Sequence, residues 1–182
     1  MLAACLASLA VQSTPHETIV CYNGPAGEGL AEHRKLCRYF GARLMKTGEM
    51  GATCCYSSAE LAAKTAKGEW LCFPSDDSLY VADFGDIMVR AADFGDWELV
   101  YCNVIFDPMS NILRPYERYG LLKTEPKHNS IDKGSFLVKR SWFRGFPSKR
   151  IGPTGADGHL IEELLKRGAR HGKAPGFLAI HQ

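Results

Sequence analysis

"GEWLCFPSDDSLYV", from Gly68 to Val81, decides how the rest of the chain is read. Trp70 to Phe73 is a short apolar run after a glycine and before a proline, the pattern of a buried strand. It ends at Pro74 and Ser75 and runs directly into two adjacent carboxylates, Asp76 and Asp77. Two groups that repel each other at a strand end have two readings. One is an acidic turn. The other is a divalent cation, because ligands of open α/β sheets bind outside the carboxyl ends of the strands. Mg²⁺ or Mn²⁺ needs only one or two carboxylates when water and phosphate complete its shell. Beyond the aspartates, Val81, Phe84, Ile87, Met88 and Ala91 recur at helical spacing and predict a helix over 79–92.

Working outward, helical and strand-like segments alternate. Leu2, Cys5, Leu6 and Leu9 predict an amphipathic helix over 2–12; a secretory leader would need a basic start, and Ser8 and Gln12 interrupt the apolar run. "ETIVCY" is a strand stopped by Asn23-Gly24-Pro25. "GLAEHRKLCRYF" is a helix, "ARLMKT" a short strand. "SAELAAKTAKG" is a helix with Ser58 as N-cap and Gly68 in the left-handed C-terminal position. "WELVYCNVIF", "GSFLVK" and "GFLAIH" are further strands, and "DGHLIEELLKRG" is a helix closed by Gly168. Such alternation predicts α/β layers around a mixed, mostly parallel sheet flanked by helices. The polar stretch 107–130 reads as a binding or mobile loop. "ADFGD" occurs at 82–86 and again at 92–96, a spacing too short for a structural repeat.

Composition bounds the function. The chain has 182 residues, enough for one domain with a sizeable core, and 46% hydrophobic against 23% charged residues, which excludes disorder. A net charge of +2 gives no case for nucleic acid. The one basic cluster, Lys139, Arg140, Arg144, Lys149 and Arg150, is a solvated face or a phosphate contact. Seven cysteines without a C-x-x-C, three of them (Cys21, Cys72, Cys102) inside apolar runs, suit a reducing, cytoplasmic setting and argue against zinc. No apolar run is long enough to cross a bilayer.

Further candidates lie outside the acidic turn. Asp157 opens a helix, where it is either a first-turn acid complementing the dipole or a general base at a cleft edge. "NGPAGEG" joins a strand to a helix and is able to approach phosphate, although Gly24, Gly27 and Gly29 do not make a dinucleotide fingerprint. His181 ends a strand and His128 lies in the irregular loop; both are in reach of a site.

Taken in order, these pieces resemble a family 2 glycosyltransferase of GT-A type. "LAACLASLAVQSTPHETIVCYNGP" resembles the family's helix L-x-x-C-L-x-S-L-x-x-Q and the strand that ends in a polar turn. "SAELAAKTAKGEWLCFPSDD" resembles the block A-R-N-x-G-x-x-x-A-x-G-E-Y-I-x-F-L-D-x-D-D. "HNSIDKGSFLVKRSWFRGF" is similar to the acceptor-side strand and its short helix, and "GADGHLIEELLKRG" to the E-D or A-D motif with its helix. The likeness covers nearly the whole chain in the right order.

The resemblance implies one GT-A, Rossmann-like domain over 1–182, with a nucleotide-binding part at about 1–80 and an acceptor-side part at about 97–182. It implies an inverting, Mn²⁺- or Mg²⁺-dependent transfer of a hexose from a nucleotide-diphosphate sugar to a hydroxyl of a glycan or lipid-linked acceptor, as in cell-surface polysaccharide synthesis. Asp76 falls on the metal-holding acid of D-x-D, with His181 as a second ligand. Asp157 falls on the base that deprotonates the acceptor. Tyr22, Asn23, Gly24, Glu60, Ser75 and Asp77 fall on the nucleotide side.

Three departures accompany it. Pro74 stands where the first acid is expected, Tyr22 replaces an acid that reads the base, and Glu60 replaces an asparagine. The family's first strand, central in the sheet, has no counterpart, so the fold is expected to be N-terminally truncated there. The slot is then expected to be closed by direct pairing, filled by the terminal "GFLAIHQ", or filled by a second chain in a homo-oligomer. Two rival functions remain open at this point: a nucleotidyltransferase, and a non-catalytic sugar-nucleotide or glycan-binding module.

Overall fold

A computed structural model describes residues 1–47, 54–106, 120–147 and 155–181. The elements run α1 (Leu2–Ala10), β1 (Ile19–Tyr22), α2 (Glu28–Tyr39), β2 (Arg43–Lys46), α3 (Cys54–Ala63), β3 (Trp70–Leu71), β4 (Ser78–Tyr80), α4 (Phe84–Gly95), β5 (Leu99–Phe106), β6 (Gly120–Leu122), a 3₁₀ turn (Lys133–Ser135), β7 (Phe136–Lys139), α5 (Ala156–Lys166) and β8 (His171–His181). Six strands form one sheet in the order β3-β7-β5-β8-β4, with β6 also on β5; β1 and β2 form a separate pair.

The mixed α/β class is as expected. The balance of ladders is different: β1/β2 and β5/β8 are parallel, whereas β3/β7, β4/β8, β5/β6 and β5/β7 are antiparallel. A crossover helix enforces parallel pairing only where one joins two neighbouring strands. Among the described residues none joins β5 to β7.

Period-2 alternation explains the layers. On β5, Leu99 and Tyr101 face α3 and α5, while Val100, Cys102 and Val104 face α4. On β7, Phe136 and Val138 take the first face and Leu137 the second. Both faces are therefore buried, which is why these strands read as continuous apolar runs. Six fully buried residues of β5 and β7, each under 2% exposed, form the centre of the core: Leu99, Val100, Cys102, Val104, Phe136 and Val138. β8 is much longer than its apolar signature, because His171–Lys173 pair with Leu99–Tyr101 before the chain bulges at Pro175-Gly176 and resumes pairing at Phe177. A proline and a glycine at φ 86° are suited to that bulge.

Several local expectations shift. The helix expected over 79–92 begins only at Phe84, because Ser78–Tyr80 is captured by β8 as an edge strand. The two "ADFGD" copies sit at opposite ends of α4: Asp83 precedes its first residue without a side-chain capping bond, and Asp96 ends it in the left-handed conformation at φ 49°. α3 starts at Cys54, so Ser58 is not a cap; its hydroxyl bonds the Thr47 hydroxyl at 2.8 Å. Gly68 is not left-handed, whereas Gly168 is, at φ 88° just beyond α5. Of the long polar stretch, 120–122 pairs as β6 and 107–119 lies outside the described residues. Cys5, Cys21, Cys37, Cys72 and Cys102 are unbridged thiols. No described helix is long and apolar enough to cross a membrane.

α1 ties the small pair to the large sheet. Leu6 packs with Val20 and Cys37, while the Gln12 amide donates to Val81 O at 2.7 Å and accepts from Gly85 N at 2.9 Å. Tyr80 N donates to the Ser8 hydroxyl at 3.3 Å, and the Cys5 thiol to Ser75 O at 3.4 Å. This clamp holds the acidic turn in place.

Candidate functional site

Between β1 and β3 lies a cavity of about 940 Å³. Its mouth is formed by Tyr22, Asn23 and Gly24 at the end of β1 and by Ser75, Asp76 and Asp77 after β3, with Lys133 nearby. The Tyr22 hydroxyl donates to Pro25 O at 2.8 Å, and its ring lies 4.8 Å from that of His33. A β-carbon on Gly24 would lie 2.7 Å from that hydroxyl, so a larger residue there would have to displace the Tyr22 ring.

Asp76 and Asp77 are the middle of a turn closed by Ser78 N donating to Ser75 O at 3.1 Å. Asp76 faces solvent and Asp77 is half-buried. The β4/β8 register pairs Ser78 with His181, which brings the imidazole beside the turn. His181 Nδ1 lies 3.6 Å from Asp77 Oδ1, and both atoms are buried without a hydrogen-bond partner. Burial pushes the Asp77 carboxyl above its ordinary value; His181 opposes that shift and Asp76 adds to it. His181 thus meets Asp77, the other acid of the pair from the one matched to the metal motif. Anchoring the quoted block on Gly68-Glu69 also puts Ser75 and Asp77 on its two acids.

Among the described residues no three His, Cys, Asp or Glu side chains are grouped to hold a metal unaided. The fit is to a cation that takes two protein ligands and completes its shell with water and phosphate. An unpartnered carboxylate oxygen facing an unpartnered imidazole nitrogen supplies such a pair.

Asp157 sits in the first turn of α5 behind Gly155, which caps the helix at φ 72°. Its Oδ1 accepts from Gly158 N at 2.9 Å. Burial raises its pKa, and the neighbouring Asp132 raises it further. Asp132 also raises Asp77, so it lies in electrostatic reach of both acids. Sequence reasoning missed it. Its side chain accepts from Gly134 N at 2.8 Å, and the Ser135 hydroxyl accepts from Asp132 N and donates to Asp132 O, a capping box that aims this loop. The available signal was "DKGS", an aspartate preceding a glycine and serine in the pattern of a side-chain-capped turn. Lys133 follows, its ammonium 5.8 Å from the centre of the Tyr56 ring.

Other expected residues are engaged elsewhere. Glu60 does not line the cavity; its carboxylate accepts from Phe146 N at 2.7 Å. His128 stacks on His159 at 4.1 Å against α5. Lys139 pairs with Glu69 at 3.8 Å over the Trp70 ring, and Arg140 donates to Gly68 O, so both brace β3. Lys149 and Arg150 lie outside the described residues.

No protein-family model matches the chain, and no curated protein matches it. Solved structures do. The chain superposes on S. aureus TarS with a TM-score of 0.74 at 15% identity, covering 100% of this chain and 34% of that one. On S. aureus TarS 1-349 in complex with UDP the score is 0.73 at 16% identity, covering 98% and 55%. On the mannosyltransferase PcManGT from Pyrobaculum calidifontis, in complex with GDP-Man and Mn²⁺, it is 0.69 at 18% identity, covering 97% and 51%. The chain therefore spans about a third to a half of these proteins. The likeness establishes the fold: a GT-A-type mixed sheet flanked by helices.

Proposed function

We propose that this chain carries the donor and acceptor-base elements of a metal-dependent, inverting glycosyltransferase that uses a nucleotide-diphosphate sugar. The observation that carries the reading is the Asp77–His181 pair, buried and unpartnered at 3.6 Å, with Asp157 linked to it through their common neighbour Asp132. Its structural neighbours were solved with UDP, with UDP-GlcNAc and with GDP-Man and Mn²⁺.

In this reading Asp77 and His181, with Asp76 beside them, would hold Mn²⁺ or Mg²⁺. A bound cation supplies charge neutralisation for the leaving diphosphate. Tyr22, Asn23 and Gly24 bound the nucleotide side, and the Tyr22 ring offers a face for a base. Asp157, held above the usual carboxylate range, is suited to take a proton from an acceptor hydroxyl near neutral pH. Attack by that hydroxyl on the anomeric carbon breaks the bond to the diphosphate and inverts the centre. Glu60, matched to the nucleotide side in sequence, is assigned instead to fixing the Gly145-Phe146 turn.

The second reading is a non-catalytic sugar-nucleotide-binding module. Ser75 favours it, since that position carries no acid. Hydrolysis and transfer assays with UDP- and GDP-sugars and Mn²⁺ separate the two. Product release that depends on Asp157 supports the transferase; binding without turnover supports the module; release of pyrophosphate from a nucleoside triphosphate and a sugar phosphate would indicate a nucleotidyltransferase.

A further inference from the structure

β1 and β3 do not pair with each other, and terminal "GFLAIH" pairs as β8 with β5 and β4. The far side of the small pair carries a different feature. A pocket of about 340 Å³ opens there between α2 and β2. Its floor is apolar: Leu30 and Cys37 of α2 are buried, and Leu44 of β2 is half-buried. Its rim is basic and exposed: Arg34 and Arg38, one turn apart on α2, and Lys46 on β2. Among the described residues none of these three cations makes an ion pair. The acids of α2, Glu28 and Glu32, do not line the pocket.

The pocket runs along a free strand edge. Among the described residues β2 pairs only with β1. Arg43 N donates to Thr18 O at 2.9 Å and Thr47 N to Tyr22 O at 3.0 Å, so this alternate set faces β1. The intervening residues point their main-chain groups the other way, which leaves those of Leu44 and Lys46 at the open edge. The side chains of the same two residues line the pocket. A strand added beside β2 would therefore send every second side chain over it. Ala42 N donates to Cys37 O at 2.8 Å, which sets Arg38 at the Ala42 end of β2, with Lys46 at the other end.

Charged residues on an edge strand often serve only to block pairing. That accounts for Arg43 and Lys46, at the two ends of β2. It does not account for Arg34 and Arg38, which come from the helix and flank an apolar floor. A second copy of the chain is a poor occupant: antiparallel β2–β2 pairing sets Arg43 opposite Lys46, and like charges directly opposite are destabilising. A flat anionic membrane would leave both the concave floor and the open edge groups unmatched.

From this we infer that α2 and β2 bind an extended acidic segment of a partner protein, of the pattern acid-x-apolar-x-acid, added to β2 as an edge strand. Alternation places the three specified side chains on one face. The apolar one enters the pocket over Leu30 and Leu44, and the acids meet Arg38 at one end and Lys46 at the other, with Arg34 between. The four residues of β2 limit the added strand to about five.

The test uses the whole chain and a blocked synthetic peptide, Thr-Glu-Thr-Leu-Thr-Glu-Thr. A control of the same composition, Thr-Thr-Glu-Leu-Glu-Thr-Thr, puts the acids on the face opposite the leucine. The first peptide is expected to slow amide exchange at Leu44 and Lys46. Its affinity should exceed that of the control by at least about tenfold, the scale of one charge-assisted hydrogen bond. Replacing both helix cations, Arg34→Gln with Arg38→Gln, should weaken it by at least the same factor; Lys46→Gln alone should weaken it too. Unchanged exchange at Leu44 and Lys46 with saturating peptide would overturn the inference. Equal binding of the two peptides would also overturn it, since charge alone would then suffice. So would binding to phosphatidylserine vesicles that depends on Arg34 and Arg38 while the peptide does not bind.

Discussion

Asp77 Oδ1 and His181 Nδ1 face each other at 3.6 Å, each buried and each without a hydrogen-bond partner. A buried carboxylate left in that state is costly unless a proton or a cation joins the pair. Mn²⁺ binding in the presence of UDP is therefore expected to depend on both residues. Asp77→Asn and His181→Gln should each weaken it by at least the 10–100-fold typical of losing an outer-shell partner of a metal ligand. Asp76→Asn, on the exposed member of the pair, should weaken it less. Isothermal titration of the four proteins checks this, and equal affinities would sink the cation site.

Asp157 separates activity from stability. A positioned base contributes about 10²–10⁴-fold to rate, so Asp157→Asn should lower transfer by that order with UDP-sugar binding nearly unchanged. Its folded pKa is raised by burial and by Asp132. The protonated form is thus favoured in the fold, and the stability it contributes is lost as pH rises through the folded value. The asparagine variant should then be as stable as the parent at neutral pH, or more so. In the parent, the acid limb of kcat/KM should fall above the ordinary carboxylate range. Thermal melts and a pH-rate profile provide both readouts.

Glu98 and Arg170 join the starts of β5 and β8. The Glu98 carboxylate accepts from Arg170 N at 2.7 Å and pairs with the guanidinium, which lowers its pKa. The sign is opposite to that of Asp157: this stability is present above the unfolded carboxylate value and is lost as pH falls through the folded one. Glu98→Gln should cost about 1.5–3 kcal/mol at neutral pH, the range for hydrogen bonds to charged groups. Urea midpoints at pH 7 and pH 3 should differ more for the parent than for the variant.

Gly158 is required by packing. A β-carbon there would lie 2.6 Å from His128 Cα, a backbone atom that cannot rotate away. Gly158→Ala should destabilise by about 1–3 kcal/mol, as overpacking does, and displace the neighbouring Asp157. Denaturant melts together with transfer rates would show whether both effects appear; a variant that matches the parent in both contradicts this packing.

Much was legible in the chain itself. The apolar runs of β1, β5 and β7, the helical spacing of α2 and α5, and Gly168 at the end of α5 follow from patterns within one turn or one strand, where neighbouring residues determine the outcome. The acidic turn, Tyr22-Asn23-Gly24 and Asp157 were located the same way, as side chains at element ends. What sequence could not supply was partners. Leu79 and Tyr80 read as helix because their spacing allowed it, and became strand because β8 offered an edge. Glu60 matched a site position, yet Phe146 N, far along the chain, took its carboxylate. Asp132 reads as an ordinary turn residue until the fold brings it within electrostatic reach of Asp77 and Asp157. Which aspartate meets His181 was decided by the β4/β8 register, since a one-residue shift turns every side chain to the other face. Local propensity is a short-range property of the chain. Register, burial and shared neighbours are long-range ones, and they exist only once the sheet has closed.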